Sequence, residues 1–189
     1  MLEKIKSDFP FFAKYWDEYE HMFKEEIIPA KKLLLRQGEI AKYVYFLDQG
    51  CLRLGFNDND REITFQFFFE CQAITSMESF KSYSPSPFFL ESIEPSRLFA
   101  LGRDDALMLY NKHEEFKDYL IEFLFSRVTN YIRLFLSRIK DTPEERYLDL
   151  IRNHPEIVNR IPQHYIASYL GITPVSLSRI RNRVWSERR

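Results

Sequence analysis

The chain has 189 residues, with 27 Lys and Arg against 28 Asp and Glu, a formal net charge of −1. Hydrophobic residues make up 45% and charged ones 29%, the balance of an ordinary soluble protein able to bury a core in one large domain or two small ones. A near-zero sum speaks against a nucleic-acid partner only if the charge is spread evenly, and five glycines are too few for a Gly-rich phosphate cradle plus many tight turns.

The start, Met1-Leu2-Glu3-Lys4-Ile5-Lys6, holds no apolar signal core, and no stretch reaches the ~18 apolar residues of a membrane span. A cytoplasmic protein without membrane contact is expected. Residues 1–25 read as a helix with Phe11, Phe12, Tyr15, Trp16, Tyr19 and Phe23 as its apolar side. From about 26 to 102 short apolar runs alternate with turns. Leu33–Leu35, Tyr43–Leu47 and Leu52–Leu54 are separated by Arg36-Gln37-Gly38, Asp48-Gln49-Gly50 and Asn57-Asp58-Asn59-Asp60. Gly38 and Gly50 can supply positive φ. Ile63, Phe65, Phe67 and Phe69 then stand at alternate positions, the period of a strand. Strands this short and regular predict an antiparallel barrel or roll. Cys51 and Cys71 have no C-x-x-C spacing and read as packed reduced thiols. His21, His113, His154 and His164 are scattered, so no metal site is expected. A metal-dependent enzyme built on the barrel would need converging histidines, and residues 26–102 contain none, so the protein is not expected to be an enzyme.

From about 103 the texture is helical. Phe116, Leu120, Leu124, Val128, Tyr131 and Phe135 recur at spacings of three and four, with Ile121, Phe125, Ile132, Leu136 and Ile139 as a second stripe beside them. Such a width predicts burial on two sides and therefore a partner helix, with the first stripe as the dimer interface. A fresh helix begins at Thr142-Pro143-Glu144-Glu145, with cap, first-turn proline and capping-box glutamate in place, and ends near Asn153-His154-Pro155. Pro162 opens the next helical segment.

Residues 163–182 meet the packing demands of a helix-turn-helix. Ala167 allows the crossing, Gly171 the left-handed turn, and Thr173-Pro174 the second start. Ile166, Leu170, Ile172, Leu177 and Ile180 fill the angle between the helices. The outward positions Val175, Ser176, Ser178, Arg179, Asn182 and Arg183 suit DNA. Arginine pairs bidentately with guanine, and Ser or Asn bond phosphates or bases. Thr173 and the helix N-terminus suit a phosphate. No acidic side chain occurs from 157 to 186. Segment by segment the charge is −7 over 1–126, +1 over 127–159 and +5 over 160–189. The basic end coincides with the helix-turn-helix, which predicts a DNA-binding face.

The run Ile-Pro-Gln-His-Tyr-Ile-Ala-Ser-Tyr-Leu-Gly-Ile-Thr-Pro-Val-Ser-Leu-Ser-Arg-Ile-Arg over 161–181, with Gln37-Gly38-Glu39 and Phe46-Leu47-Asp48-Gln49-Gly50-Cys51-Leu52-Arg53, resembles the Crp/Fnr family of bacterial transcription regulators, in a pattern associated with Bacteroidetes members. The resemblance spans almost the full length. It implies an α+β protein with an N-terminal antiparallel β-roll of cyclic-nucleotide-binding type (1–103), a long dimerisation helix (104–140) and a C-terminal winged helix-turn-helix (141–189). It implies a homodimer on double-stranded DNA carrying an inverted repeat, with RNA polymerase as a further partner. By position, Pro174, Val175 and Arg179 face base edges, and Thr173 and Ser176 lie near phosphates. The phosphate cassette of cyclic-AMP-binding members uses a Gly-Glu pair and an Arg-Ser or Arg-Thr pair. Here no glycine occurs between Gly55 and Gly102, the Arg position reads Ser86-Pro87-Phe88, and Lys81 is the only basic side chain from 73 to 92. A buried phosphate without such partners is costly, so cyclic AMP and cyclic GMP are not expected as effectors. No cofactor is expected and the effector is unassigned. The alternative is a ligand-sensing module acting through protein contacts rather than DNA.

Overall fold

The computed structural model describes residues 9–59 and 61–186. Helix α1 (Pro10–Tyr19) opens on its proline, and a single 3-10 turn (Glu20–Met22) carries the chain into strand β1 (Phe23–Ile28). The predicted helix over 1–25 is therefore cut short at its C-terminal end, and residues 1–8 lie outside the described residues. β1 pairs with β8 along its whole length, Phe23 opposite Leu101 to Ile28 opposite Ser96, and that ladder outweighs one more helical turn. Phe23 still packs on the helix, its ring 5.0 Å from Phe12 and 5.2 Å from Trp16.

Six more strands follow before β8 (Ser96–Gly102): β2 (Leu33–Leu35), β3 (Tyr43–Gln49), β4 (Leu52–Asp58), β5 (Arg61–Phe68), β6 (Gln72–Ile74) and β7 (Phe89–Ser92). They form two antiparallel four-stranded sheets, β1-β8-β3-β6 and β2-β7-β4-β5, closed face to face as the predicted roll. Leu47, Leu52, Leu54, Phe68, Ile74, Leu90 and Leu98 make the core between them. Gly38 and Gly50 take φ of 89° and 108°, as their turn positions require. At Gly50 a Cβ would stand 2.2 Å from Ser96 Oγ, so glycine alone fits.

The alternation predicted through Ile63, Phe65, Phe67 and Phe69 does not give one shared face. Leu54 pairs Gln66 but Gly55 pairs Thr64, which leaves Phe65 in a bulge. The extra residue flips the side-chain order, so Phe65 and Phe68 pack on the roll interior while Phe67 and Phe69 pack outside. Cys51 is wholly buried beside Phe67, and burial pushes its thiol up to about 12. Cys71 is exposed rather than packed and takes a positive φ of 67°.

Helix α2 (Met77–Ser82) lies between β6 and β7. After β8 the expected helix over 104–140 forms as two, α3 (Arg103–Lys112) and α4 (Glu114–Lys140), broken by extended backbone at His113. The imidazole is held there by Tyr19 Oη at 2.6 Å and by the rings of Phe11 and Tyr15. Glu114 and Glu115 give α4 a favourable first turn. Its 27 residues span ~40 Å. Helix α5 (Pro143–Asn153) carries the predicted capping box of Thr142 and Glu145. A short helix not foreseen from the sequence, α6 (Pro155–Arg160), precedes α7 (Gln163–Leu170) and α8 (Pro174–Ser186). No strand lies among the described residues after Gly102, so the expected wing is not found among them. No helix among them is long and apolar enough to cross a membrane, and no three or more His, Cys, Asp or Glu converge as a metal site.

Candidate nucleic-acid interface

Helices α7 and α8 build the helix-turn-helix from the signals read in the sequence. Gly171 takes φ 70° and closes α7 through its N–H to Ser168 O (3.0 Å), with Ile172 N–H bonding Ala167 O (3.0 Å). Arg138 and Arg146 donate to the last carbonyls of α7, those of Tyr169 (2.6 Å) and Leu170 (3.1 Å). Thr173 Oγ1 accepts from Ser176 N–H at 3.1 Å and starts α8. Ile166, Ala167, Leu170, Leu177 and Ile180 are all buried in one cluster with Tyr147, Leu150, Ile157 and Val184; Ile172 packs against it.

The opposite side of α8 meets solvent. Thr173, Pro174, Val175, Ser178, Arg179, Asn182 and Arg183 are exposed, and Ser176 is half-buried. The structure brings all eight predicted contacts onto one end and flank of this helix. Arg179 has no ion-pair partner among the described residues, whereas Arg183 is drawn 2.6 Å from Glu144. Trp185, 55% exposed on the same helix, was not among the predicted contacts; its isolation from any apolar stripe was the available signal.

Sequence reasoning also missed how this unit is mounted. Helix α7 lies along β5. Thr64 N–H donates to Ser168 Oγ (3.0 Å), and the Phe67 and Tyr169 rings stand 5.2 Å apart. Arg53, on β4, is 2% exposed and sandwiched between Phe89 (4.8 Å) and Tyr165 of α7 (3.9 Å). Its guanidinium donates to Glu91 (2.7 Å) and Glu62 (2.6 Å). Arg160 reaches back from α6 to Glu70 (2.8 Å), the Gly50 carbonyl (2.9 Å) and Glu94. The outward turn of Phe67, set by the bulge, is what gives α7 an apolar seat.

The Arg160 contact has a pH consequence. Burial alone would raise the Glu70 carboxyl, but Arg160 and the backbone N–H of Gly50 hold it at about 2. The folded value lies below the ordinary ~4.3, so this contact contributes fully above roughly pH 5 and is lost as pH falls toward 2. Glu70→Gln should lower stability at pH 7 and make the acid loss shallower, read as urea midpoints between pH 7 and 3. Parallel curves for the two proteins would contradict that role for Glu70.

On α4 the two apolar stripes have different surroundings. Phe116 is buried in its own chain, 4.8 Å from Phe11 and 6.0 Å from Phe12, which removes it from any free interface. Leu120, Leu124 and Tyr131 are half-buried, and Tyr131 lies 5.6 Å from Phe65 of the roll. Arg127 pins this side, donating to Ala73 O (3.0 Å) over the Phe68 ring. Of the six residues predicted for the interface, Val128 and Phe135 alone remain well exposed. The other open positions belong to the second stripe. Ile121, Phe125, Val128, Ile132, Phe135 and Ile139 follow at steps of four and three, each 49–67% exposed. That 3.5-residue period is the spacing a left-handed coiled coil requires.

The segment corresponding to the phosphate cassette keeps its polar groups for itself. Ser79 Oγ accepts from Ala41 N–H (2.9 Å) and donates to Ser84 O. Ser86 Oγ lies 2.8 Å from both Ser76 Oγ and Phe88 O. Arg103 is spent on the C-terminus of α2, donating to Phe80 O (2.8 Å). Between roll and long helix the rings of Phe56, Phe88, Phe65 and Tyr131 run in succession, Phe88 stacked on Phe65 at 5.3 Å.

Residues 25–113 match the family of cyclic nucleotide-binding domains. Among solved structures, a Crp/Fnr-family transcriptional regulator from Eubacterium rectale is similar with TM-score 0.76 and 13% identity, over 96% of this chain and 88% of that one. FixK2 from Bradyrhizobium japonicum gives 0.75 and 16%, over 87% and 85%. The c-di-GMP-responsive regulator CLP of Xanthomonas campestris gives 0.73 and 14%, over 93% and 92%. A comparison with the curated proteins finds no match in sequence. The chain thus has the fold of Crp/Fnr-type regulators, with a roll of cyclic nucleotide-binding type.

Proposed function

We propose that the protein is a homodimeric DNA-binding transcription regulator rather than an enzyme, and that its roll does not answer to cyclic AMP. The observation that carries the reading is the open face of α8. It is an exposed helix free of acidic side chains, fixed by a buried core, in a chain whose other half is acidic. A second copy fits the heptad seam of α4. Two parallel copies there place two α8 helices about a two-fold axis, reading half-sites ~34 Å apart in an inverted repeat. The three parts are then the roll to about 103, the pairing helix to about 140 and the reading unit beyond. Because α7 is seated on β5, a change in the roll reaches the DNA-reading helices through Arg53 and Arg160 as well as through α4, a rigid-body coupling.

Arg179 is assigned to base readout and Thr173 with the α8 N-terminus to phosphate. Arg179→Ala should cost roughly 1–3 kcal/mol on the preferred site, measured by fluorescence anisotropy; equal binding by variant and parent would reject the role. Against cyclic AMP stand the filled space at Phe65, Phe88 and Tyr131 and the self-satisfied hydroxyls of Ser76, Ser79 and Ser86. Calorimetric titration should therefore show no binding, and saturable heat at micromolar cyclic AMP would sink this part of the proposal.

A further inference from the structure

A cavity of about 460 Å³ opens beside the roll, between β2, the turn entering β3 and the start of α2. Its floor is apolar, made by Leu34, Leu35, Ala41 and Leu90. Leu35, Ala41 and Leu90 are members of the roll's own core. None of its lining residues belongs to the ring succession of Phe56, Phe88, Phe65 and Tyr131, while Thr75 and Ser76, from the segment corresponding to the phosphate cassette, stand at its edge. Tyr45 lines it, is 92% buried, and has no hydrogen-bond partner for its hydroxyl among the described residues. Burial keeps that hydroxyl protonated, hence a donor. At the rim, Glu39 is already held by Arg36, through the backbone N–H at 3.0 Å and the guanidinium at 3.7 Å. Lys42, also at the rim, has no ion-pair partner among the described residues. Among the lining residues the rim therefore carries one cation, Lys42, and one carboxylate, Glu39, whose charge Arg36 offsets from outside the lining, above an apolar floor with one idle donor.

Such a site calls for an apolar body and a single anionic acceptor group. We propose that this cavity binds a small monocarboxylate with an aliphatic chain of about eight carbons, a size that suits its volume. The chain lies on Leu34, Leu35 and Leu90, the carboxylate pairs with the Lys42 ammonium, and Tyr45 Oη donates to it. The occupant would rest on side chains of the roll core and so stabilise the roll directly, independently of any DNA contact.

The test uses the full chain with sodium octanoate, 1-octanol and octylamine as probes, by titration calorimetry and thermal unfolding. Octanoate should bind saturably at one site per chain and raise the unfolding midpoint. Octanol should bind at least about tenfold more weakly, and octylamine not at all. Lys42→Gln and Tyr45→Phe should each weaken octanoate by about tenfold, the effect of losing one charge-assisted bond. Lys42 is exposed and the Tyr45 hydroxyl unbonded, so both variants should keep the parental unfolding midpoint without ligand. Absence of saturable binding at millimolar octanoate, equal binding of octylamine, or indifference to both substitutions would each overturn the proposal.

Discussion

Glutamate at both Phe125 and Ile132 should turn the proposed dimer into a monomer and weaken DNA binding about 10²–10⁴-fold. Both side chains lie on the open seam of α4, 66% and 53% exposed, so neither supports the fold of its own chain. In a coiled coil each would fill a hole between four side chains of the facing helix, and a charge there is desolvated against a like charge across the two-fold axis. Separated half-sites are bound tightly because the second contact is intramolecular, and a monomer loses that advantage entirely. Sedimentation at micromolar concentration reads the first effect, and anisotropy on a symmetric site the second. Leu120→Glu and Tyr131→Glu serve as the contrast, because both residues are half-buried in their own chain and Tyr131 packs on Phe65 of the roll. They should destabilise the chain itself. A dimeric Phe125→Glu/Ile132→Glu protein would refute the pairing face.

Arg53→Met is expected to cost about 3–5 kcal/mol in urea unfolding. The substitution keeps the bulk of the chain but leaves Glu91, 14% exposed, as a carboxylate without its buried cation. Glu62 is 58% exposed and can turn to water, so Glu91 bears most of the penalty. Tyr165 also loses the guanidinium stacked 3.9 Å from its ring, which loosens α7 from the roll. Arg53→Met with Glu91→Met should recover most of the loss, since two apolar groups of similar volume replace an ion pair at little net cost. A single variant within 1 kcal/mol of the parent, or a double variant worse than the single, would contradict this account of the contact.

What the sequence disclosed followed from local chemistry. The capping box at Thr142 and Glu145, the left-handed Gly171, and the turns at Gly38 and Gly50 each need only a few neighbouring residues, and each formed as read. What it hid depended on distant partners. Phe23 carries the helical period of α1, yet its backbone pairs with Leu101. Phe65 and Phe67 look equivalent until a bulge opposite Gly55 turns them to opposite sides. The two stripes of α4 are equally apolar in sequence, and only the seating of Arg127 and Tyr131 on the roll decides which one is left open. The face of α8 was legible residue by residue, because its exposed positions follow from its buried ones. Its mounting through Arg53 and Arg160 was not, because those partners lie more than a hundred residues away, Tyr165 from Arg53 and Gly50 from Arg160.

In the proposed function two α8 faces read one symmetric DNA site. Selection of bound duplexes from a random pool by the full chain tests this most directly. The expected result is an enriched inverted repeat with half-site centres about 10 base pairs apart, and affinity that falls steeply with salt. No enrichment above the starting pool, or an enriched site without two-fold symmetry, would contradict it.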